Sequence, residues 1–279
     1  MAYVLFDIGG TKTRVAISYD LKTFGEKVKF DTPKSFDEGI AAIHEAVKSL
    51  TTDPIEGIGG GIRGPLNHEK TKIISEKTLT DWVEQPLAAA LAEPYRAPVF
   101  IENDTAIVGL GEAHYGAGRG HDIVVYHTVS TGVGGVRIVG GVIDPSSQGF
   151  EPGHQILDID ETIEPDGQPD TLENLVSGTA LEFRRGVKPY EIPQDDGVWP
   201  RLAKYLAYGL RNTVVYWSPD VIVLGGSMII GDPRIMLEDI QRETEGVLKD
   251  VVPAPAIVDA ELGDEGGLYG AMVLINQRM

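Results

Sequence analysis

Asp7-Ile-Gly-Gly-Thr-Lys-Thr-Arg14 follows the apolar run Tyr3-Val-Leu-Phe6 and precedes Val15-Ala-Ile17. A β-rich apolar run, two adjacent glycines, then hydroxyl and basic residues before a second apolar run predict a strand, a tight turn and a partner strand. Consecutive glycines let a backbone come close to an anion. Gly9, Gly10, Thr11 and Lys12 would surround that anion with amide, hydroxyl and ammonium donors. Asp7, at the end of the first strand, is placed to hold a hydrated Mg2+ beside it, with water between. The stretch reads as a hairpin that grips nucleotide phosphates. An ordinary turn with a solvated lysine is the plainer alternative.

Working outward, the same pattern returns at Ile123 to Val129, which runs into Ser130-Thr-Gly-Val-Gly-Gly135 and on to Val136-Arg-Ile-Val139. This weak internal repeat predicts duplicated α/β lobes facing each other across a cleft. Neither a Gly-x-x-x-x-Gly-Lys-[Ser/Thr] loop nor a Gly-x-Gly-x-x-Gly opening a helix is present, so the hairpins are the phosphate candidates. Between them, Ser35-Phe-Asp-Glu38 has the form of a capping box opening a helix through Leu50. Ile55 to Gly61 reads as a strand entering a glycine-rich loop, Lys72 to Ile74 as a short strand and Pro86 to Glu93 as a short helix. Pro98 to Ile101 is a buried strand ending at Glu102-Asn-Asp104, before a helix over Thr105 to Tyr115. In the second half, Gly149 to Asp170 is an acidic loop and Trp199 to Ser218 a long amphipathic helix. Val221 to Leu224 is a buried strand ending in Gly225-Gly226, Arg234 to Val251 is helical, and Gly266 to Asn276 forms a terminal helix.

The 279 residues carry a net charge of −18, with 42% hydrophobic and 24% charged residues and no cysteine. That composition is globular. The acidic balance argues against binding nucleic acid or acidic membrane surfaces. Without cysteine there are no disulfides, iron–sulfur clusters, thiol nucleophiles or Cys-ligated zinc. No stretch reaches membrane-spanning length and no secretory leader pattern opens the chain, so a cytoplasmic protein is expected.

Taken in order, these motifs resemble the ROK sugar kinases (repressor, open reading frame, kinase), which are glucokinase-like members of the actin-like ATPase, or ribonuclease H-like, superfamily. Asp7-Ile-Gly-Gly-Thr-Lys12 resembles their first phosphate loop, and Glu102-Asn-Asp104 with Gly109-Leu-Gly-Glu112 their catalytic strand and helix. Ser130 to Gly135 resembles the second phosphate loop, Glu151-Pro-Gly-His154 the sugar motif, Leu172-Glu173 a further sugar contact, and Val223-Leu-Gly-Gly-Ser227 the loop under the adenosine. The matches cover Tyr3 to about Ala271. The resemblance implies a two-lobed α/β fold with a central cleft. The N-terminal lobe would span residues 1-116, with a terminal helix over 265-279 packing back on it. The C-terminal lobe would span 117-264.

Three departures stand out. The family's cysteine zinc motif should fall between His154 and Glu173, yet Asp158 to Thr171 holds no cysteine, and His154 alone cannot make a four-ligand structural zinc site. The asparagine usual shortly before Trp82 is replaced by Thr78. The chain is also short for the family, without the helix-turn-helix of its repressor members.

The implied chemistry is ATP-dependent phosphorylation of a hexose, with glucose and the 6-hydroxyl as the family defaults. Asp104 would be the general base, although Asn103-Asp104 is also a plain helix cap. Gly61, Arg63, Asn103, Glu151, His154 and Glu173 would bind the sugar. A solvated acidic loop is the alternative for the two glutamates and a surface charge the alternative for Arg63. Gly9, Gly10, Thr11 and Lys12 would hold one side of the ATP phosphates, and Thr131, Gly132 and Gly134 the other. Gly225 and Gly226 would underlie the adenine, and Asp7 would serve Mg2+. A homodimer is the assembly implied by the family. Rival readings are a sugar-binding sensor with weak turnover and a non-sugar phosphotransferase of the same fold.

Overall fold

Alternating apolar residues drive both hairpin units into sheets. In the computed structural model, which describes residues 1–160, 162–163 and 170–279, the chain forms two compact units. Residues 161 and 164–169, part of the acidic segment expected as a loop, lie outside the described residues.

The first unit comprises residues 1–115, 145–149 and 264–279. Strands β1 (Ala2–Ile8), β2 (Lys12–Ser18) and β3 (Lys27–Asp31) form an antiparallel meander. Helix α1 (Phe36–Leu50) then leads to β4 (Ile55–Ile62), which lies parallel to β1 on its other side. A long excursion and the short helix α2 (Leu87–Ala92) precede β5 (Val99–Asn103), parallel to β4, and helix α3 (Asp104–Tyr115). The sheet order is β3-β2-β1-β4-β5. Period-2 alternation splits β1 between two cores. Val4, Phe6 and Ile8 pack with Ile43 and Val47 of α1 and with Trp82, while Leu5 faces the opposite side of the sheet. Each such fully buried side chain contributes roughly 1.5–3 kcal/mol.

The second unit comprises residues 116–144 and 150–263. Its strands are β6 (Ile123–Val129), β7 (Val133–Val139), β8 (Val142–Ile143), the small pair β9 (Ile156–Asp158) and β10 (Asp170–Thr171), β11 (Val221–Gly225) and β12 (Ala256–Asp259). Its helices are α4 (Leu172–Val176), α5 (Gly178–Arg185), α6 (Val198–Trp217), α7 (Ser227–Ile230) and α8 (Leu237–Leu248). The main sheet runs β12-β11-β6-β7-β8. Its hairpin is antiparallel and its two further strands are parallel to the hairpin's first strand. That order repeats the first unit's, so the repeat seen in the glycine hairpins is a repeat of topology. The actin-like α/β fold follows from it.

Helix α9 (Gly266–Arg278) returns to the first unit. Leu268, Met272 and Ile275 cover Leu5 and Ala16. It crosses α3 so closely that a Cβ on Gly270 would collide with the carbonyl of Ile107. Among the described residues no helix is long and apolar enough to cross a membrane.

Several local expectations need correction. Ser35 sits at the N-cap of α1 but its side chain makes no capping bond. Lys72 to Ile74 is no strand: Ile73 makes only isolated bridges to Leu66 and Val83. The helix expected from Arg234 to Val251 is confined to Leu237–Leu248. Ile235 is instead fully buried with its amide on the carbonyl of Met228, and Arg234 is held by Gln194 and Asp259. The stretch from Gly149 also holds more structure than a loop, namely a 3-10 turn over Pro152–His154 and the β9–β10 pair.

Candidate functional site

The first unit gathers its candidates at the carboxyl ends of its parallel strands, where ligands bind in open α/β sheets. Register sets Asp7 beside Gly61, and Gly61 beside Glu102. A Cβ on Gly61 would lie 3.2 Å from the Cα of Asp104, so the strand end abuts the start of α3.

Asn103 does the capping. Its Oδ1 accepts from the amides of Thr105 (2.9 Å) and Ala106 (3.3 Å), and its Nδ2 donates to the carbonyl of Gly64 (3.2 Å). Asn103 thus makes the helix cap, with its second Nδ2 hydrogen left for a ligand. Asp104 opens the helix, with Oδ1 accepting from the Thr105 amide at 2.7 Å. Burial pushes its carboxyl above the usual range. The Thr105 bond and the nearby Arg63 pull it back, and Glu76 pushes it further up. A raised carboxylate is a stronger base near neutral pH.

Asp7 is 13% exposed and accepts from Arg14 Nη1 at 3.2 Å. Arg14 Nη2 also meets Asp264 at 2.7 Å. Burial pushes Asp7 up to about 6, opposed by Arg14 and assisted by Asp104. Beside it the turn closes through Gly9, whose amide donates to the carbonyl of Lys12 at 2.9 Å. Thr32 backs this turn. Its hydroxyl donates to the Gly9 carbonyl (2.8 Å) and its amide to the Thr11 carbonyl (2.9 Å). Thr11 is exposed. Lys12 faces Asp31 in the β2–β3 register and is ion-paired to it.

Sequence reasoning missed Thr32 and Glu76. Glu76, 9% exposed, sits 3.4 Å from Arg63 Nε and accepts from the Thr78 amide at 2.8 Å. Thr78 and Arg63 both lie over Gly10, whose Cβ would be 3.0 Å from Thr78 Cγ2 and 3.3 Å from Arg63 Cδ. Nothing in local spacing marks these residues, because their partners are distant in the chain.

In the second unit the turn of the Ser130–Gly135 hairpin closes with the Ser130 amide on the Gly132 carbonyl at 2.8 Å. Thr131 is exposed at its tip, and Gly134 pairs with Thr128 in register. Glu173 lies against this hairpin. Its Oε2 accepts from the Val133 amide at 2.7 Å and would be 2.6 Å from a Cβ on Gly132. That bond gives Glu173 a structural partner, with its second oxygen available for other contacts. The Pro152–His154 turn docks on β7, where Pro152 is 2.7 Å from the Cβ position of Gly135. His154 and Glu151 are exposed, 4.0 Å apart. Gln155 ties the turn down, its carbonyl accepting from Leu172 and its side-chain oxygen from Asn212. Gly225 ends β11 against Tyr126. Gly226 has φ +89 and presses on the Val129 carbonyl, a position open only to glycine.

A family zinc does not fit these residues. There is no cysteine, His154 is exposed, and among the described residues no group of three His, Cys, Asp or Glu could hold a metal. Asp158 supplies an alternative clasp, accepting from the amides of Thr162 (2.6 Å) and Ile163 (2.7 Å).

The ROK family model matches residues 3–278. A fructokinase from Lactococcus lactis subsp. cremoris is 26% identical over 266 residues, spanning 92% of this chain and 89% of that protein. The crystal structure of a ROK hexokinase from Thermus thermophilus has a TM-score of 0.83 at 30% identity, covering 100% of this chain and 99% of that one. A ROK family glucokinase from Streptomyces griseus, solved with glucose and AMPPNP, has a TM-score of 0.80 at 25% identity, covering 99% and 100%.

Proposed function

The chain belongs to the ROK family, and on that premise we propose that it is an ATP-dependent hexose kinase with Asp104 as its general base. The observation that carries the reading is the position of Asp104. A part-buried carboxylate of raised basicity stands at the strand ends, next to Gly61, whose strand runs beside the one that leads into the glycine turn. The solved relative bound to glucose and AMPPNP supports the pairing of sugar with ATP.

Phosphoryl transfer asks a protein mainly to position reactants and neutralise charge. In the proposed step a lone pair of the sugar's 6-hydroxyl oxygen attacks the γ-phosphorus as its proton passes to Asp104. The bond from phosphorus to the β,γ-bridging oxygen breaks, its electron pair leaving with ADP. Gly9, Gly10 and Thr11 of one hairpin and Thr131, Gly132 and Gly134 of the other are assigned to phosphate oxygens. Gly225 and Gly226 are assigned to the adenine. Gly61, Glu151, His154 and Glu173 are assigned to sugar hydroxyls, and Asn103 to holding the helix start from which Asp104 works. Asp7 fits a magnesium ion held mostly by phosphates and water, since it offers one hard, part-buried carboxylate and no all-protein cage. When bound, the ion would neutralise phosphate charge.

A coupled ADP-release assay over glucose, fructose, mannose and N-acetylated hexosamines tests the reading. It expects at least one hexose to be turned over with saturable kinetics. ADP release that no hexose stimulates would overturn it.

A further inference from the structure

We infer that Arg63 is a catalytic residue that binds the transferring phosphoryl group as its charge develops, and that Glu76 holds it in place. The inference rests on the kinase reading above and moves Arg63 from the sugar contact expected of it to the transferring phosphoryl group.

Arg63 follows β4 directly, and its amide donates to the carbonyl of Ile8 at 3.0 Å, just ahead of the glycine turn. Its Cδ lies over Gly10, and it follows by two residues Gly61, whose Cβ position is 3.2 Å from the Cα of Asp104. One side chain therefore stands next to both the phosphate turn and the base. Its attachment is one-sided. Glu76 sits 3.4 Å from Nε and is its one ion-pair partner among the described residues, while neither Nη makes an ion pair or hydrogen bond there. Glu76 is itself fixed by the Thr78 amide and packs against Gly64, whose Cβ would be 3.4 Å from Glu76 Oε2. The side chain is 40% exposed, enough to meet a ligand.

Two neighbouring cations already have carboxylate partners. Lys12 is paired to Asp31, and Arg14 is shared between Asp7 and Asp264. That leaves a guanidinium fork anchored at Nε with two nitrogens open. In phosphoryl transfer, charge is spread over the three equatorial oxygens of the moving group, which passes from the phosphate turn to the hydroxyl oxygen deprotonated by Asp104. Arg63 faces that path, and a planar fork suits phosphate oxygens better than a point charge does. Arg63 takes no proton and donates two N–H groups to equatorial oxygens.

The test uses the full chain with its best hexose and Mg·ATP, comparing Arg63→Ala, Arg63→Lys and Glu76→Gln. Arg63→Ala should lower kcat about 10²–10³-fold with the sugar KM changed less than about threefold. Arg63→Lys should recover only a small part of the loss. Millimolar guanidinium should restore turnover to Arg63→Ala and none to Asp104→Asn. Glu76→Gln, which keeps an acceptor for Thr78 but loses the ion pair, should lower kcat about tenfold. A raised sugar KM at unchanged kcat would make Arg63 a ground-state sugar contact and overturn the inference, as would wild-type kinetics in Arg63→Ala. The kinase reading fails separately, if Asp104→Asn retains full turnover.

Discussion

At the scale of single residues, burial and distant partners decide what each polar group does. His127 shows this away from the proposed chemistry. It is fully buried and stacked on Trp217, with Nε2 3.0 Å from Thr213 Oγ1. Thr213 Oγ1 is also 3.2 Å from the Gly209 carbonyl, so the two side chains form one buried hydrogen-bonded pair. Burial lowers the His127 pKa to about 4 from 6.5. A depressed histidine pKa stabilises the folded chain fully above the unfolded value, and that stability drains away as pH falls from about 6.5 toward 4. The loss reaches roughly 3 kcal/mol. His127→Gln should therefore flatten the fall in Tm between pH 7 and pH 4.5 by several degrees. Identical pH slopes in thermal melts of the two proteins would contradict the assignment. The sequence offered no sign of this group, since β6 is buried on both faces and the partner of His127, Thr213 on α6, is 86 residues away. The same holds for Glu76 and Thr32. Asp104 and the glycines were legible because strand ends and turns are local, whereas the two ends of an Arg63–Glu76 pair are joined only by the folded excursion between them.

At the scale of elements, the hairpins and buried strands were readable from apolar runs ended by glycine, and their register followed. Helix ends were less so. Arg234 to Met236 carries a helical pattern but is pulled straight by burial of Ile235 and the pairing of Arg234 with Asp259, a tertiary demand that overrides propensity. Nor does periodicity reveal the crossing of α3 and α9, since it depends on residues that lack side chains. Gly270 lets α9 meet Ile107, and Gly111 meets Gly266 in the same way. Gly270→Ala should push the helices apart and destabilise by about 2–4 kcal/mol, read as a lower urea midpoint. An unchanged midpoint would mean that the crossing is looser than the backbone contact requires. Because α3 starts at Asp104, the same variant should lower kcat more than it alters ATP binding.

At the scale of the whole molecule, two units of the same sheet order each present a glycine turn at the end of the central strand. The repeat predicted from two short motifs was a reliable guide because topology is carried by the order of apolar runs, which both halves share. The acidic segment after Gly149 was the least legible part. There Asp158 accepts backbone hydrogen bonds from Thr162 and Ile163, a turn that no apolar periodicity marks.

Everything assigned to the site depends on Asp104 accepting the proton of a sugar hydroxyl. Steady-state ADP release by Asp104→Asn, with the best hexose and saturating Mg·ATP, tests that dependence most directly. The expected result is a loss of about 10²–10⁴-fold in kcat, with sugar-induced thermal stabilisation retained. Wild-type turnover in the folded variant would contradict it.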